Sequence, residues 1–208
     1  MKRGFVAIVG AMLITFATTT GAHASTLTFD DISIGGHIPD NYGGLHWGPF
    51  AFYLAPSDNM AFFADSGYDN GLVSGNFVAY NNSDQVFSVS GPTFDFNSAY
   101  LTAAWNTGLN ITVTGMLGAT TLYSQTVVVN TTAPTFFTFN YLGIDQLTFS
   151  SSGGVSDLFP QYGDDGHHFV IDDITINEAT AVPDAGSTLA MFSLGMLGLG
   201  AIRRKLSF

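Results

Sequence analysis

The sequence predicts an all-β protein, a single jelly-roll-type β-sandwich with a short apolar helix at either end, and three observations carry the prediction. Between Ser25 and Ala181 there is no Lys or Arg and one Glu, Glu178, so the usual surface helix formers are missing. In their place Thr, Val, Ile, Phe and Tyr recur in short runs of the kind that suit strands. Gly, Asn, Ser and Pro divide those runs at intervals that suit turns.

Taken in order, residues 1–24 read as a signal peptide: Lys2 and Arg3, an apolar run from Phe5 to Phe16, then Ala22-His23-Ala24 before a cut at Ser25. Residues 25–178 form the predicted domain, long enough for one sizeable core. It opens on Thr28-Phe29-Asp30-Asp31-Ile32-Ser33-Ile34 and closes on Val170-Ile171-Asp172-Asp173-Ile174-Thr175-Ile176, two strands interrupted alike by paired aspartates. Between them, strands are expected over Val86–Val89, Ala99–Trp105, Leu109–Thr114, Leu122–Val129, Thr135–Phe139 and Leu147–Ser150. The alternation is clearest where Leu109, Ile111 and Val113 share one face and Asn110, Thr112 and Thr114 the other. Turns are expected at Asp69-Asn70-Gly71, Ser90-Gly91-Pro92, Thr107-Gly108, Leu117-Gly118, Ala133-Pro134 and Ser152-Gly153-Gly154. A linker over 179–187 leads to an uncharged run, 188–202, and a basic tail, 203–208. As a helix, those 15 residues rise about 22 Å, so they span a hydrocarbon core of about 30 Å only with thinning or snorkelling of the basic ends. The basic cluster favours the cytoplasmic side and places the domain outside.

Fourteen Asp and one Glu against no Lys or Arg give the window from Ser25 to Ala181 a formal charge of −15. Nucleic acid is excluded as a partner, because a phosphate backbone is bound through cations this domain lacks. With no cysteine, no disulfide can staple the fold. Any partly buried aspartate must be solvated, held by backbone N–H groups, protonated, paired with a histidine or coordinated to a metal.

Val182-Pro183-Asp184-Ala185-Gly186, then the Gly-rich apolar run, then Arg203-Arg204-Lys205, resembles the tripartite C-terminal sorting signal of the PEP-CTERM class in its VPDSG-type variant. The resemblance implies an exosortase-type membrane enzyme as partner, recognition through Val182, Pro183 and Asp184 with Arg203 and Arg204, and delivery to the cell surface. Asp184 stands where the commonest form has Glu, which favours the variant. Within the domain, Gly71–Asn81, Phe94-Asp95-Phe96, Gly143–Phe149 and His168–Ile174 resemble galactose-binding-like jelly rolls. That resemblance implies carbohydrate binding and a structural calcium where the terminal strands meet.

Strand alternation puts one member of each aspartate pair inward, and two inward carboxylates on neighbouring antiparallel strands need a cation. Calcium, bound by Asp30, Asp31, Asp172 and Asp173, fits such an oxygen-rich site. Solvated acids guarding a strand edge, or a shared proton, are the alternatives. Gly163-Asp164-Asp165-Gly166-His167-His168 reads as an acidic turn rather than a zinc site, since adjacent His side chains on a strand diverge. For a sugar, the candidate contacts are Trp47, Trp105, Asn106, Tyr162 and His167, flat rings and polar tips beside turns. The chain has no cysteine nucleophile and no GxSxG elbow. The expected protein is a non-catalytic surface or exopolysaccharide-matrix protein in contact with carbohydrate; a glycan hydrolase and a purely structural matrix protein are the alternatives.

Overall fold

A computed structural model describes residues 24–32, 34–156 and 166–178. The signal peptide, the linker, the sorting motif, the apolar run at 188–202 and Tyr162 lie outside the described residues. Among the described residues no helix is long and apolar enough to cross a membrane.

The chain forms β1 (Ser25–Leu27), β2 (Gly36–His37), β3 (His46–Trp47), β4 (Ala51–Leu54), β5 (Val78–Asn81), β6 (Phe87–Ala103), β7 (Asn106–Thr107), β8 (Leu109–Leu117), β9 (Thr120–Val129), β10 (Thr135–Ser152), β11 (Val155–Ser156) and β12 (Phe169–Ile176). Two four-residue helices, α1 (Met60–Phe63) and α2 (Gly67–Asn70), lie between β4 and β5. Their brevity follows from the missing Glu, Lys and Arg. Strand pairing runs β2-β4-β5-β12-β6-β10-β8-β9, with β1 on β12 and β3 on β6, all antiparallel.

Two long strands make the sandwich from one continuous ladder. The C-terminal half of β6 pairs with β12 and with the start of β10, whereas its N-terminal residues pair with β3 and the end of β10, which continues to β8. One layer therefore holds β4, β5 and β12, the other β3, β8 and β9, and β6 and β10 turn the corner between them. The expected turn at Ser90-Gly91-Pro92 is a bulge in β6: pairing passes from Ser90↔Gln146 to Phe94↔Ile144, so three residues face one. Pro92 is tolerated there because a bulge demands no N–H from it. The separate strands expected at Thr135–Phe139 and Leu147–Ser150 join in β10 through irregularities around Asn140 and Gly143, both at positive φ. Asp69-Asn70-Gly71 ends α2 instead of forming an isolated turn, and Ser66 caps that helix by accepting the Tyr68 N–H.

The inward faces meet in a phenylalanine-rich core. Phe87, Phe96, Phe149 and Phe169 are fully buried, with Phe149 edge-on to Phe87 at 5.7 Å and against Phe169, in the opposite layer, at 6.0 Å. A second, smaller cluster of Tyr68, Val78, Ala104 and Val170, joined by Leu54, Phe63, Leu72 and Trp105, covers the outside of the β5–β12 layer. Gly67 makes this cover possible, since a Cβ there would lie 1.7 Å from the Ala103 carbonyl oxygen.

Candidate functional site

The first and last strands are neighbours: Ser25 pairs with Ile176 and Leu27 with Ile174. The opening aspartates, however, do not lie in a strand. β1 stops at Leu27, Phe29 adopts a φ of 63°, and the chain turns through Asp30 and Asp31. In the closing strand the phase breaks at Asp173, whose φ is 49°, between the pairs Asp172↔Tyr100 and Thr175↔Ser98. This bulge lets Phe169, Ile171, Ile174 and Ile176 all join the main core. Asp172 instead shares the outer face with Val170, beneath the segment from Leu72 to Phe77. It is buried all the same, 1% exposed.

Each carboxylate expected to share calcium takes a protein donor. Asp172 accepts the N–H groups of Val73 (2.9 Å), Ser74 (3.1 Å) and Asp173 (2.8 Å). Asp173 accepts the Ser74 hydroxyl at 2.7 Å. Asp30 accepts the N–H groups of Asn76 (2.6 Å) and Phe77 (3.1 Å). Asp31 accepts the Tyr42 hydroxyl at 2.8 Å, and that oxygen in turn accepts the Phe29 N–H at 2.9 Å. Among the described residues no three His, Asp or Glu side chains gather to hold a metal ion. Asp30, Asp172 and Asp173 thus pin the segment Val73–Phe77 across the junction of the first and last strands, while Asp31 holds Tyr42. Burial pushes the Asp172 carboxyl up to about 7, against the pull of its three N–H donors. Burial, then the bond to Asp31, raises the Tyr42 hydroxyl above the usual tyrosine range.

Of the described residues chosen for sugar contact, Trp105 and Asn106 lie against Gly166, next to His167, whereas Trp47 belongs to the main core. Trp47 is a core residue, 7% exposed, packed on Phe29, Tyr42 and Phe87 and donating its indole N–H to the Tyr42 carbonyl at 2.9 Å, so it offers a ligand no open face. Asn106 is fully buried and donates to the Gly153 carbonyl. The His167 carbonyl accepts from Ser151 and Asn81. Trp105 is half-buried at one end of the sandwich, between Tyr68 at 5.2 Å and Phe62 at 5.4 Å, and Phe62 is 52% exposed. Behind them His168 links the Tyr68 hydroxyl (2.6 Å) to Asp84 (2.9 Å), the histidine-paired acid the composition allows for.

The structure assembles a surface that strand alternation hinted at in one strand alone. With Leu109, Ile111 and Val113 buried, Asn110, Thr112 and Thr114 face out. Register places Ser88, Thr148, Thr114 and Ser124 in one row across β6, β10, β8 and β9. A second row holds Ser150, Thr112 and Thr126, with the two threonine hydroxyls 2.8 Å apart. Hydroxyls thus repeat about 4.8 Å apart across strands and about 6.8 Å apart along them, and no charged side chain stands in these rows. Next to them Ser90 and Gln146, themselves paired, enter an open groove lined also by His46, Pro92, Gly118 and Asp145. Asp145 accepts the Gly118 N–H through both oxygens, at 3.0 and 2.9 Å. His46 is bonded to Asp40 at 2.7 Å and holds that acid below the usual carboxylate range. No local signal in the sequence joins His46, Ser90 and Asp145, because their proximity arises from long-range pairing.

No curated protein matches the chain. Similar solved structures include TmCBM61 in complex with beta-1,4-galactotriose, at 12% identity and a TM-score of 0.37, covering 64% of this chain and 85% of that one. A family 16 carbohydrate-binding module matches at 14% identity and a TM-score of 0.32, covering 64% and 90%. A CBM4 structure matches at 19% identity and 0.31, covering 61% and 84%. Residues 181–206 match the VPDSG-CTERM motif, so Val182, Pro183, Asp184, Arg203 and Arg204 lie in a tail that is a VPDSG-CTERM sorting motif.

Proposed function

We propose that the protein is exported, sorted to the envelope through its C-terminal tail by an exosortase-type enzyme, and there makes non-catalytic contact with an uncharged polysaccharide. The single observation that carries this reading is the array of Ser and Thr hydroxyls on β6, β10, β8 and β9, continuous with the groove at His46, Ser90 and Gln146. Hydroxyls can both donate to and accept from sugar hydroxyls, and their rows favour an extended chain over a compact ligand. The formal charge of −15 and the absence of Lys and Arg favour a neutral polymer over an acidic one. Individually weak contacts of this kind gain through repetition along a chain.

Affinity electrophoresis through gels containing neutral or acidic polysaccharides tests the reading. Retardation in at least one neutral polymer and none in acidic ones is the expected result. Replacing Thr112, Thr114 and Thr148 together by valine keeps strand propensity and removes three hydroxyls. At about 0.5–1.5 kcal/mol each, their loss should weaken binding ten- to a thousandfold. The loop end supports a second reading, because Phe62 is half exposed against Trp105. Loss of binding on Phe62→Ala, with the threonine variant silent, would move the site there. Release of reducing sugar from a retained polymer would replace the non-catalytic reading with the hydrolase.

A further inference from the structure

The chain leaves the domain at a fastened point. Beyond β12, Asn177 and Asp95 exchange two bonds, the Asn177 N–H to the Asp95 carbonyl at 2.9 Å and the Asp95 N–H to the Asn177 side chain at 3.0 Å. The Glu178 N–H then donates to the buried Asn97 side chain at 2.9 Å. Thr188, where the apolar run begins, is ten residues past Glu178, so it lies within about 35 Å of that anchor even for a fully extended chain. Three leucines stand at the same end of the sandwich. Leu142 precedes Gly143, whose N–H donates to Asp95 at 2.7 Å, and its own carbonyl accepts the Tyr123 hydroxyl. Leu122 adjoins Tyr123, and Leu117 adjoins Gly118, which donates to Asp145. Leu117, Leu122 and Leu142 are 45, 44 and 39% exposed. Phe62, Val128 and Val155, exposed as well, lie toward the opposite end, where β12 begins.

We infer that this end of the domain rests on the membrane before the tail is cut, with Leu117, Leu122 and Leu142 in the headgroup boundary of a zwitterionic lipid surface. The contact rests on the reading of residues 188–202 as a membrane span. Given the span, the short tether keeps the leucines at a high effective concentration beside the surface, so a patch too small to bind lipid from solution can dock there. Removing three leucine side chains from water favours the contact. Of the acids at this end, Asp95 and Asp145 accept the N–H groups of Gly143 and Gly118. Together with Glu178 they suit a zwitterionic surface, whose ammonium groups they can meet, and oppose an anionic one.

The chain contains no cysteine, so single cysteines can carry a bimane label. Ala119→Cys, exposed in the turn between β8 and β9, reports on the leucine end. Thr132→Cys, exposed between β9 and β10 beside the start of β12, reports on the opposite end. Met196→Cys reports on the apolar run. The full chain is reconstituted in vesicles of phosphatidylcholine and phosphatidylethanolamine containing lipids with nitroxides at shallow and deep positions of the acyl chain. The label at 119 should be quenched several-fold more than the label at 132. Leu117→Asn, Leu122→Asn and Leu142→Asn together should remove that difference and leave quenching at 196 unchanged. Equal quenching at the two ends, or quenching at 119 that survives loss of the leucines, would overturn the proposal. A blue-shifted but unquenched label at 119 would overturn it in favour of a second copy covering the leucines. Quenching at 196 alone refutes the contact and leaves the span standing, whereas none at 196 refutes the span and the contact with it.

Discussion

Asp172→Asn should remove a pH dependence of stability that the wild-type chain carries. In the folded chain the carboxyl titrates at about 7, against an ordinary value of 3.8. A folded-state value raised in this way means that the neutral form is favoured by burial. Its contribution is fully present below pH 3.8 and is lost as pH rises through about 7. The whole shift, about 3 pH units at about 1.4 kcal/mol each, corresponds to roughly 4 kcal/mol, of which roughly 2.6 falls between pH 5 and pH 8. For a domain of this size that is a fall in Tm of about 5–10 °C. Asparagine stays neutral and keeps an acceptor for the Val73 and Ser74 N–H groups, but its amide turns a donor toward the Asp173 N–H. That lost bond costs about 1 kcal/mol. By pH 5 the wild type has already lost roughly 1.5 kcal/mol, more than that bond is worth. The variant should therefore melt slightly below wild type at pH 4 and increasingly above it toward pH 8, and the two curves cross at about pH 4.5. Repulsion among the other acids affects both proteins and cancels in the difference. Melting followed by circular dichroism from pH 4 to 8 reads the crossing; a constant offset between the two proteins would refute the reasoning.

Gly75→Ala should cost about 1–3 kcal/mol, because Gly75 has a φ of 56° and an added Cβ would lie 2.0 Å from the Asp30 carboxylate. Denaturant titration of Gly75→Ala, Asp30→Ala and the double variant should show strong non-additivity, since the second change removes the clash of the first. Tyr42→Phe should cost about 1–3 kcal/mol, because the buried Phe29 N–H loses its acceptor and Asp31 its donor. A loss no larger than that from Tyr123→Phe, whose hydroxyl reaches the Leu142 carbonyl on the surface at 3.3 Å, would contradict that account.

The layers were legible in the sequence wherever alternation was intact, as at Leu109, Ile111 and Val113, and wherever a glycine marked a hairpin, as at Leu117-Gly118. What escaped was every place where the ladder bends without breaking. Ser90-Gly91-Pro92 reads as a turn because its residues are turn residues; that β10 passes alongside and keeps the pairing is a long-range fact. The same holds for Asp172: strict alternation along β12 would set it on the face of Ile174 and Ile176, whereas the bulge at Asp173 sends it to the opposite face. The absence of Lys and Arg narrowed the partners for partly buried acids to water, backbone N–H groups, histidine, a proton or a metal. Choosing among them required knowing that Val73–Phe77 folds across the strand junction, which no local pattern announces. The hydroxyl rows were half visible as Thr112 and Thr114, but a row exists once register aligns four strands.

The position of β12 has a mechanical consequence. A pull on the C-terminal tail enters the domain at the Ile176 end of β12, which is laddered to β5 and β1 on one side and to β6 on the other. A load directed along that strand shears many hydrogen bonds at once instead of unzipping them singly. From β6 the load reaches the opposite layer along the covalent backbone of β6 itself, without relying on side-chain packing between layers. A load applied at the tail would thus reach the strands that carry the hydroxyl rows through hydrogen-bonded ladder and backbone alone.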